Sequence, residues 1–224
     1  MLVRSLPIFA GIAPIIGVTC AYLLGVSYDV LPSCMPLIDG CTSISATGRN
    51  MPGRLVFRSV MFPQSVLLIV LWYLGARWIR DMTPSRISAV TVTVSGCIGA
   101  LALVVYVATL GTRTPLYDFM RRFGVYFYFL GTAVAQVTLA VTLLAHAKRT
   151  MAMSLKRIAT GMLWFCGMPF ALGFLNLALK AVLDDPDFIE NRIEWISALL
   201  MQFYFVALYI AWRNTDFRVA AESR

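Results

Sequence analysis

Apolar residues occur in long blocks along this chain, and short polar segments separate the blocks. Crossing the roughly 30 Å hydrocarbon core of a bilayer takes about 20 apolar residues of helix. Six blocks approach or exceed that length, and none alternates as a transmembrane β-strand would. The pattern therefore predicts an all-α fold, a single bundle of six transmembrane helices over residues 1–224, at about 6–26, 60–78, 87–110, 123–146, 158–183 and 195–212.

The composition supports this fold class. Of 224 residues, 59% are hydrophobic and 13% are charged, which is typical of a polytopic membrane protein. The first block follows Arg4, as the apolar part of a signal peptide would. It is longer than that part usually is, and no clear small-x-small cleavage site follows it. We therefore expect it to remain as the first helix.

Lysine and arginine near the helix ends predict the orientation, because the cytoplasmic side retains them. An even number of helices puts both termini on one side, where the linkers 77–86 and 147–157 carry tight basic clusters. We expect cytoplasmic termini and an outward-facing loop over residues 27–58. The net charge of +8 points to anionic lipid headgroups. Nucleic acid is not expected, since no basic stripe with interleaved aromatic residues lies outside the apolar blocks.

The first outer loop contains a dense polar run from Cys41 to Arg58. Small hydroxyl residues and glycine let backbone N–H groups converge on an anion, and arginine binds phosphate through two parallel hydrogen bonds. One interpretation is a collar that binds a lipid headgroup. The other is an ordinary turn in which Ser and Thr cap helix ends. The candidate ligand-binding residues of this run are Ser43, Ser45, Thr47, Gly48 and Arg49.

The other candidates lie on the same expected face. Arg121 and Arg122 precede the fourth block, and Glu194 with Trp195 opens the sixth. An ionisable group at the lip of a bundle is a site candidate, although a carboxylate at a helix N-terminus is also stabilised by the helix dipole. The arginines could extend to lipid phosphates or pair with Glu194 or Asp118. The acidic residues of the loop before Glu194 are expected to form a solvated turn, namely Asp184, Asp185, Asp187 and Glu190.

The cysteine and histidine content limits the chemistry of this face. Cys34 and Cys41 lie seven residues apart in the first loop, where they form either a disulfide or two free thiols. No metal or cofactor is expected, because cysteines are few and His146 is the only histidine. That histidine lies at the opposite end of the fourth block. A Ser-His-Asp hydrolase or a multi-histidine zinc enzyme at the outer face is therefore excluded.

Several short motifs resemble the Frag/DRAM/Sfk family of membrane proteins. They are the run Thr42 to Gly48 followed by Pro52 and Phe57, the pair Glu194-Trp195, and the segment Trp212 to Phe217. The family is similar to the N-terminal region of Cwh-type proteins and to Golgi proteins that remodel GPI lipid anchors. Its pattern assigns Ile44, Ser45, Thr47 and Gly48 to a signature loop, Glu194 and Trp195 to the last helix, and Asp216 and Phe217 to the inner end of that helix.

The chain also departs from the family pattern. Relatives often carry Asp at the position of Ala46, and a His with an acidic residue at the positions of Arg121 and Arg122. Gly124 and Gln136 remain family-like. The resemblance implies six helices, cytoplasmic termini and membrane lipid handling, such as anchor remodelling or lipid asymmetry. If the His-acid pair serves lipid chemistry in relatives, that chemistry is lost or altered here.

Three functions are therefore compatible with the sequence. The leading hypothesis is an integral membrane protein that binds a phospholipid or lipid-anchor headgroup in an outward-facing cavity. The alternative is a non-catalytic scaffold that holds a membrane protein partner. The third is an acyl-transfer or hydrolytic enzyme, which would need Glu194 as base beside a nucleophile from the first loop. A catalytic role is the least favoured of the three, and its candidate nucleophiles are Ser43, Ser45 and Cys41.

Overall fold

The computed structural model describes residues 2–83, 85–112, 114–182 and 187–218. Within these residues the regular structure is helical, without strands, which confirms the all-α class. Six of the helices are long and apolar enough to cross a membrane. In chain order the helices are α1 (Leu2–Ser27), α2 (Pro36–Asp39), α3 (Ile44–Thr47), α4 (Gly53–Arg80), α5 (Arg86–Thr109), α6 (Pro115–Arg149), α7 (Met153–Lys180) and α8 (Asp187–Asn214).

Three long helices begin about two turns earlier than the apolar blocks predict. Helix α4 starts at Gly53 instead of 60, α6 at Pro115 instead of 123, and α8 at Asp187 instead of 195. The apolar blocks end where charged residues begin, but the helices continue through these polar turns. At α6, for example, the Thr114 hydroxyl accepts a hydrogen bond from the Tyr117 N–H, with Pro115 at the first turn. Arg121, Arg122 and Glu194 consequently lie inside helices and not before them.

The remaining ends differ by smaller amounts. Helix α1 extends from Leu2, and α7 extends from Met153 because its first polar turn, too, was left out of the block. The predicted end of α7 at 183 lies outside the described residues, and the helix itself ends at Lys180. The two short helices, α2 and α3, fall in the loop between α1 and α4, where the apolar pattern predicted no regular structure.

The six long helices form a closed ring. Each packs against the next one along the chain, and α8 returns to pack against α1. We call the end of the ring that carries α2 and α3 the loop face, and the end that carries residues 4 and 215–217 the terminal face. At the terminal face, the Arg4 Nε donates to the Phe217 carbonyl over 2.9 Å, and Arg4 also pairs with Asp216. These contacts join the two ends of the chain.

The half of the ring nearer the terminal face is a filled core. Its largest buried side chains include Trp72, Trp212, Tyr204 and Phe205. Two hydrogen bonds link its helices across the interior: Gln64 Nε2 donates to the Ala10 carbonyl over 2.8 Å, and the Tyr204 hydroxyl donates to the Gln136 carbonyl over 2.9 Å. The cavity described below lies on the other side of this filled half, towards the loop face.

Glycines allow α5 and α6 to pack with their backbones in contact. A Cβ on Gly131 would lie 2.6 Å from the Ser95 carbonyl and 2.7 Å from the Gly99 nitrogen, and a Cβ on Gly99 would lie 2.9 Å from the Thr132 nitrogen. In α7, by contrast, a Cβ on Gly161, Gly167 or Gly173 would meet nothing within 4 Å. The α5–α6 pair is therefore in close backbone contact, whereas the three glycines of α7 serve no such contact.

The part of α7 nearest the loop face is loosely packed. Cys166 is buried, but none of the residues from 167 to Lys180 is buried. On the neighbouring α6, Gly124 is the one buried residue between Pro115 and Leu130. The ring is therefore tightly packed near the terminal face and more loosely packed along α6 and α7 near the loop face.

Candidate functional site

The loop between α1 and α4 is folded by local contacts. Cys34 and Cys41 form a disulfide with their Cα atoms 6.6 Å apart. The Tyr22 hydroxyl accepts from the Cys34 N–H over 3.0 Å and lies 2.7 Å from the Cys34 carbonyl. The hydroxyl of Ser43 accepts from the Ala46 N–H over 3.2 Å, which caps α3. The loop is thus anchored to α1 and has its own short helices.

The same loop is bonded to the first turns of α8. Trp195 Nε1 donates to the Thr42 carbonyl over 2.9 Å, and Asn191 Nδ2 donates to the Gly40 carbonyl over 2.8 Å. Gly40 has a φ of 65°, and a Cβ there would overlap the Phe188 carbonyl, so only glycine fits. The Ser45 N–H donates to the Glu194 carboxylate over 3.3 Å. Two segments that are far apart in the sequence therefore form one unit.

Below this unit lies a cavity of about 750 Å³, to which all six long helices contribute side chains. Its apolar lining includes Pro14, Val18, Met61 and Leu103. Its polar lining contains seven of the nine residues that the sequence singled out. These are Ser43, Ser45, Arg49, Arg121, Arg122, Glu194 and Trp195.

Thr47 and Gly48 do not line this cavity, in contrast to the sequence-based expectation. Thr47 is 2% exposed, and its hydroxyl donates to the Ile44 carbonyl over 2.7 Å. A Cβ on Gly48 would lie 2.7 Å from Leu110 and 2.8 Å from Phe57. Both residues hold α3 against the bundle because their side-chain space is filled by the protein itself.

The charged lining residues differ in how far they are neutralised. Arg121 pairs with Asp118 over 3.3 Å, and Lys180 pairs with Glu190. The Arg49 Nη2 donates to the Ser45 hydroxyl over 2.9 Å. Among the described residues, neither Arg49 nor Arg122 has an acidic partner within 4.0 Å, and Glu194 has no basic one. Arg49 and Glu194 both contact Ser45, but among the described residues neither forms a direct ion pair.

Sequence reasoning missed several polar side chains of the cavity. Tyr106 and Tyr128 line it, as do Asn176 and Gln202. The Asn176 Oδ1 and the Gln202 Oε1 are buried without a hydrogen-bond partner. Both lie within apolar blocks, and a polar residue inside a membrane helix is itself a signal of function. That signal was available in the sequence for Asn176 and Gln202.

The remaining residues of the polar run have structural contacts. Arg58 Nη2, on α4, donates to the Ala108 and Leu110 carbonyls over 3.0 and 3.1 Å. These carbonyls lie at the C-terminal end of α5, where helical hydrogen-bond partners are missing. Cys41 is removed as a nucleophile by its disulfide. His146 lies at the other end of α6, where its Nδ1 is 3.2 Å from the Met82 carbonyl. Asp184 and Asp185 lie outside the described residues.

A comparison with protein families identifies the chain. The model of the Frag1/DRAM/Sfk1/Cwh43P N-terminal domain matches residues 2–215. The chain belongs to this family. No curated protein and no solved structure gives a significant match. Membership of the Frag1/DRAM family, together with six membrane-length helices, makes this an integral membrane protein.

The Frag1/DRAM match spans both halves of the candidate site. It includes the loop with α2 and α3 and extends through α8. Two of the three motifs that suggested this family, Thr42 to Gly48 and Glu194-Trp195, are joined by the Trp195–Thr42 and Ser45–Glu194 hydrogen bonds. Their contact gives a physical reason for motifs that stand at opposite ends of the sequence to occur together.

Proposed function

We propose that this Frag1/DRAM family protein binds a membrane lipid, with the phosphate-containing headgroup in the cavity at the loop face. The observation that carries the proposal is the lining of that one cavity, where arginines that lack acidic partners lie beside an apolar interior. Arginine binds phosphate through several parallel N–H donors. Arg49 and Arg122 supply those donors, and the Ser43 and Ser45 hydroxyls supply further ones.

The apolar lining fits the acyl part of the same ligand. Pro14, Val18, Met61 and Leu103 lie on helices α1, α4 and α5, whereas Phe129 and Tyr126 lie on α6 beside the loosely packed part of α7. A ligand with two long chains exceeds the space of about 750 Å³, so its chains must leave the ring. We propose that the chains leave between α6 and α7, where few residues of either helix are buried near the loop face.

The lipid is proposed to enter from the outer leaflet. This follows if the loop face is external and both termini are cytoplasmic. The terminal face carries the basic residues Arg77, Arg80, Lys156 and Arg157, as the positive-inside rule requires of a cytoplasmic face. The Cys34–Cys41 disulfide in the loop also fits an oxidising compartment on the other side.

Native mass spectrometry of the detergent-purified protein tests lipid binding. We expect a bound phospholipid on the unaltered chain and at least about a tenfold loss of it in the double variant Arg49→Gln/Arg122→Gln, because charge-assisted hydrogen bonds to phosphate are lost. The matched control is Arg149→Gln/Arg157→Gln, which removes the same charge from exposed positions near the terminal face. The control is expected to retain the lipid.

Equal lipid retention by both double variants contradicts the proposal. A stoichiometric protein partner without bound lipid would instead support the scaffold function that the sequence also allowed. Melting temperatures of the variants are measured in parallel, so that loss of lipid is compared only between folded proteins.

The orientation can be tested by cysteine labelling in intact cells. In a background without the free cysteines Cys20, Cys97 and Cys166, single cysteines replace the exposed Thr112 near the loop face and the exposed Ser154 near the terminal face. A membrane-impermeant maleimide is expected to label the first and not the second. After the membrane is permeabilised, both should react. Labelling of the Ser154 position alone in intact cells would show that the terminal face is external, contrary to the proposal.

A further inference from the structure

We infer that the cavity selects a lipid whose headgroup carries a primary ammonium in addition to the phosphate. This inference rests on the proposed function, and it concerns which lipid the same site takes. It follows from the separation of charge between the walls of the cavity and from hydrogen-bond acceptors that the protein leaves without donors.

The two signs of charge come from different walls. Helix α8 presents Asp187, Glu190 and Glu194 to the cavity, and their spacing of three and four residues puts them on one side of the helix. The cations Arg49, Arg121 and Arg122 come from the end of α3 and from α6. A ligand that carried only negative charge would meet the acidic wall unfavourably.

Ion pairs within the walls leave a small set of charges for the ligand. Asp118 neutralises Arg121, and Lys180 neutralises Glu190. Glu194 accepts the Ser45 N–H but has no cation within 4.0 Å among the described residues. A partly buried carboxylate is costly unless a cation compensates it. The ammonium of a zwitterionic headgroup supplies that cation while the phosphate meets Arg49 and Arg122.

The unsatisfied acceptors of the cavity point to the same donor-rich group. Gln202 is 7% exposed, and its buried Oε1 has no hydrogen-bond partner. The Oδ1 of Asn176, on α7, is also buried without a partner. A primary ammonium has three N–H donors and no acceptor. It can therefore donate to these oxygens and needs no hydrogen-bond donor from the protein. A headgroup with hydroxyls alone would leave the charge of Glu194 uncompensated.

The degree of substitution on the nitrogen matters for the same reason. A trimethylammonium group has the charge but no N–H, so it cannot hydrogen-bond to Glu194 or to the amide oxygens. Recognition of that group uses aromatic faces around the cation. Aromatic side chains such as Tyr106, Tyr128 and Phe129 do line the cavity, yet they leave Glu194 and the buried amide oxygens without the N–H donors that a primary ammonium supplies. The geometry therefore favours ethanolamine-type over choline-type headgroups.

The test compares lipids with identical acyl chains and different headgroups. The full-length protein, purified in detergent and stripped of lipid, is titrated with dihexanoyl phosphatidylethanolamine, phosphatidylcholine and phosphatidylglycerol, and binding is followed by native mass spectrometry. We expect the ethanolamine lipid to bind about tenfold more tightly than the other two. Soluble glycerophosphoethanolamine serves as a fourth ligand. It is expected to bind more weakly than the lipid, and equal binding would overturn the assignment of the ligand as a lipid.

Variants at the acidic wall separate charge from hydrogen bonding. Glu194→Gln keeps the side-chain shape but loses the charge, and it should reduce the preference for ethanolamine over glycerol headgroups to about twofold or less, because the ethanolamine lipid loses its ion pair and the anionic phosphatidylglycerol is no longer repelled by this carboxylate. Glu194→Asp retains the charge and should retain a preference. Asp29→Asn, at an exposed position of the loop face outside the cavity, is the matched control and should change nothing.

The outcomes distinguish this inference from the proposed function. If all three lipids bind equally in a manner that depends on Arg49 and Arg122, the ammonium inference is wrong and the proposed function stands. If no lipid binds the unaltered chain, the proposed function itself fails. If Glu194→Gln does not fold, the comparison of the three lipids on the unaltered protein still tests the ammonium inference.

Discussion

Replacement of Gly131 by valine is expected to lower the melting temperature of the detergent-solubilised protein by about 5–10 °C. The side chain would enter the contact between α5 and α6, where a Cβ alone comes within 2.6 Å of the Ser95 carbonyl. Backbone atoms cannot move aside as a flexible side chain does, so the helices must separate. Overpacking of this kind costs roughly 1–3 kcal/mol, which sets the expected shift.

Gly173→Val is the matched control for this prediction. The same substitution on α7 introduces a side chain where nothing lies within 4 Å. We expect its melting temperature to stay within about 2 °C of the parent, since valine has a slightly better helix propensity than glycine. Similar destabilisation of both variants would mean that the α5–α6 contact is not specially close. Thermal unfolding followed by intrinsic tryptophan fluorescence measures both.

Replacement of Arg58 by leucine should produce a second large loss of stability. Its guanidinium donates to the carbonyls of Ala108 and Leu110 at the end of α5. Each hydrogen bond from a charged donor contributes about 1.5–3 kcal/mol, and leucine would leave those carbonyls without that donor. We expect the melting temperature to fall by about 5–10 °C.

The control is Arg86→Leu, which removes an exposed arginine from the first residue of α5. Its melting temperature should remain near that of the parent. An Arg58→Lys variant adds a second comparison, because a single ammonium replaces the forked guanidinium and is expected to recover part of the lost stability. An unchanged melting temperature in Arg58→Leu would show that α5 does not depend on this contact.

Much of the fold could be predicted from the sequence because membrane helices leave a strong signal. About 20 apolar residues are required for each crossing, and the chain contains six such blocks. The starts of α4, α6 and α8 could not be predicted from hydrophobicity. Their first turns are polar and extend beyond the apolar blocks, so only capping signals such as Thr114-Pro115 mark them.

The candidate site was predictable in its charges but not in its geometry. Ser43, Ser45, Arg49 and Glu194 attract notice as polar residues at the edge of apolar blocks. That Glu194 accepts the Ser45 N–H depends on α8 packing beside α1 and α3, which a single sequence does not encode locally. Gln202, which also lines the cavity, was not predicted, because a single glutamine in an apolar block is equally compatible with a hydrogen bond between packed helices.

Thr47 and Gly48 illustrate the opposite error. Their residue types suit an anion-binding turn, and the sequence alone could not distinguish that use from a structural one. In the folded chain the Thr47 hydroxyl is satisfied by the Ile44 carbonyl, and Gly48 lies against Phe57 and Leu110. Burial separates the two uses, because a hydroxyl satisfied inside the protein has no donor left for a ligand.

Closure of the ring by α8 has a consequence for biogenesis. Helix α8 leaves the ribosome after the other five long helices, and it brings Glu194, Trp195 and Gln202 to the cavity. A chain that stops before residue 187 would retain five membrane-length helices and the whole first loop, yet its cavity would lack the acidic wall. Insertion of the first five helices into the membrane and completion of the cavity are therefore separate events. Only synthesis through α8 achieves the second.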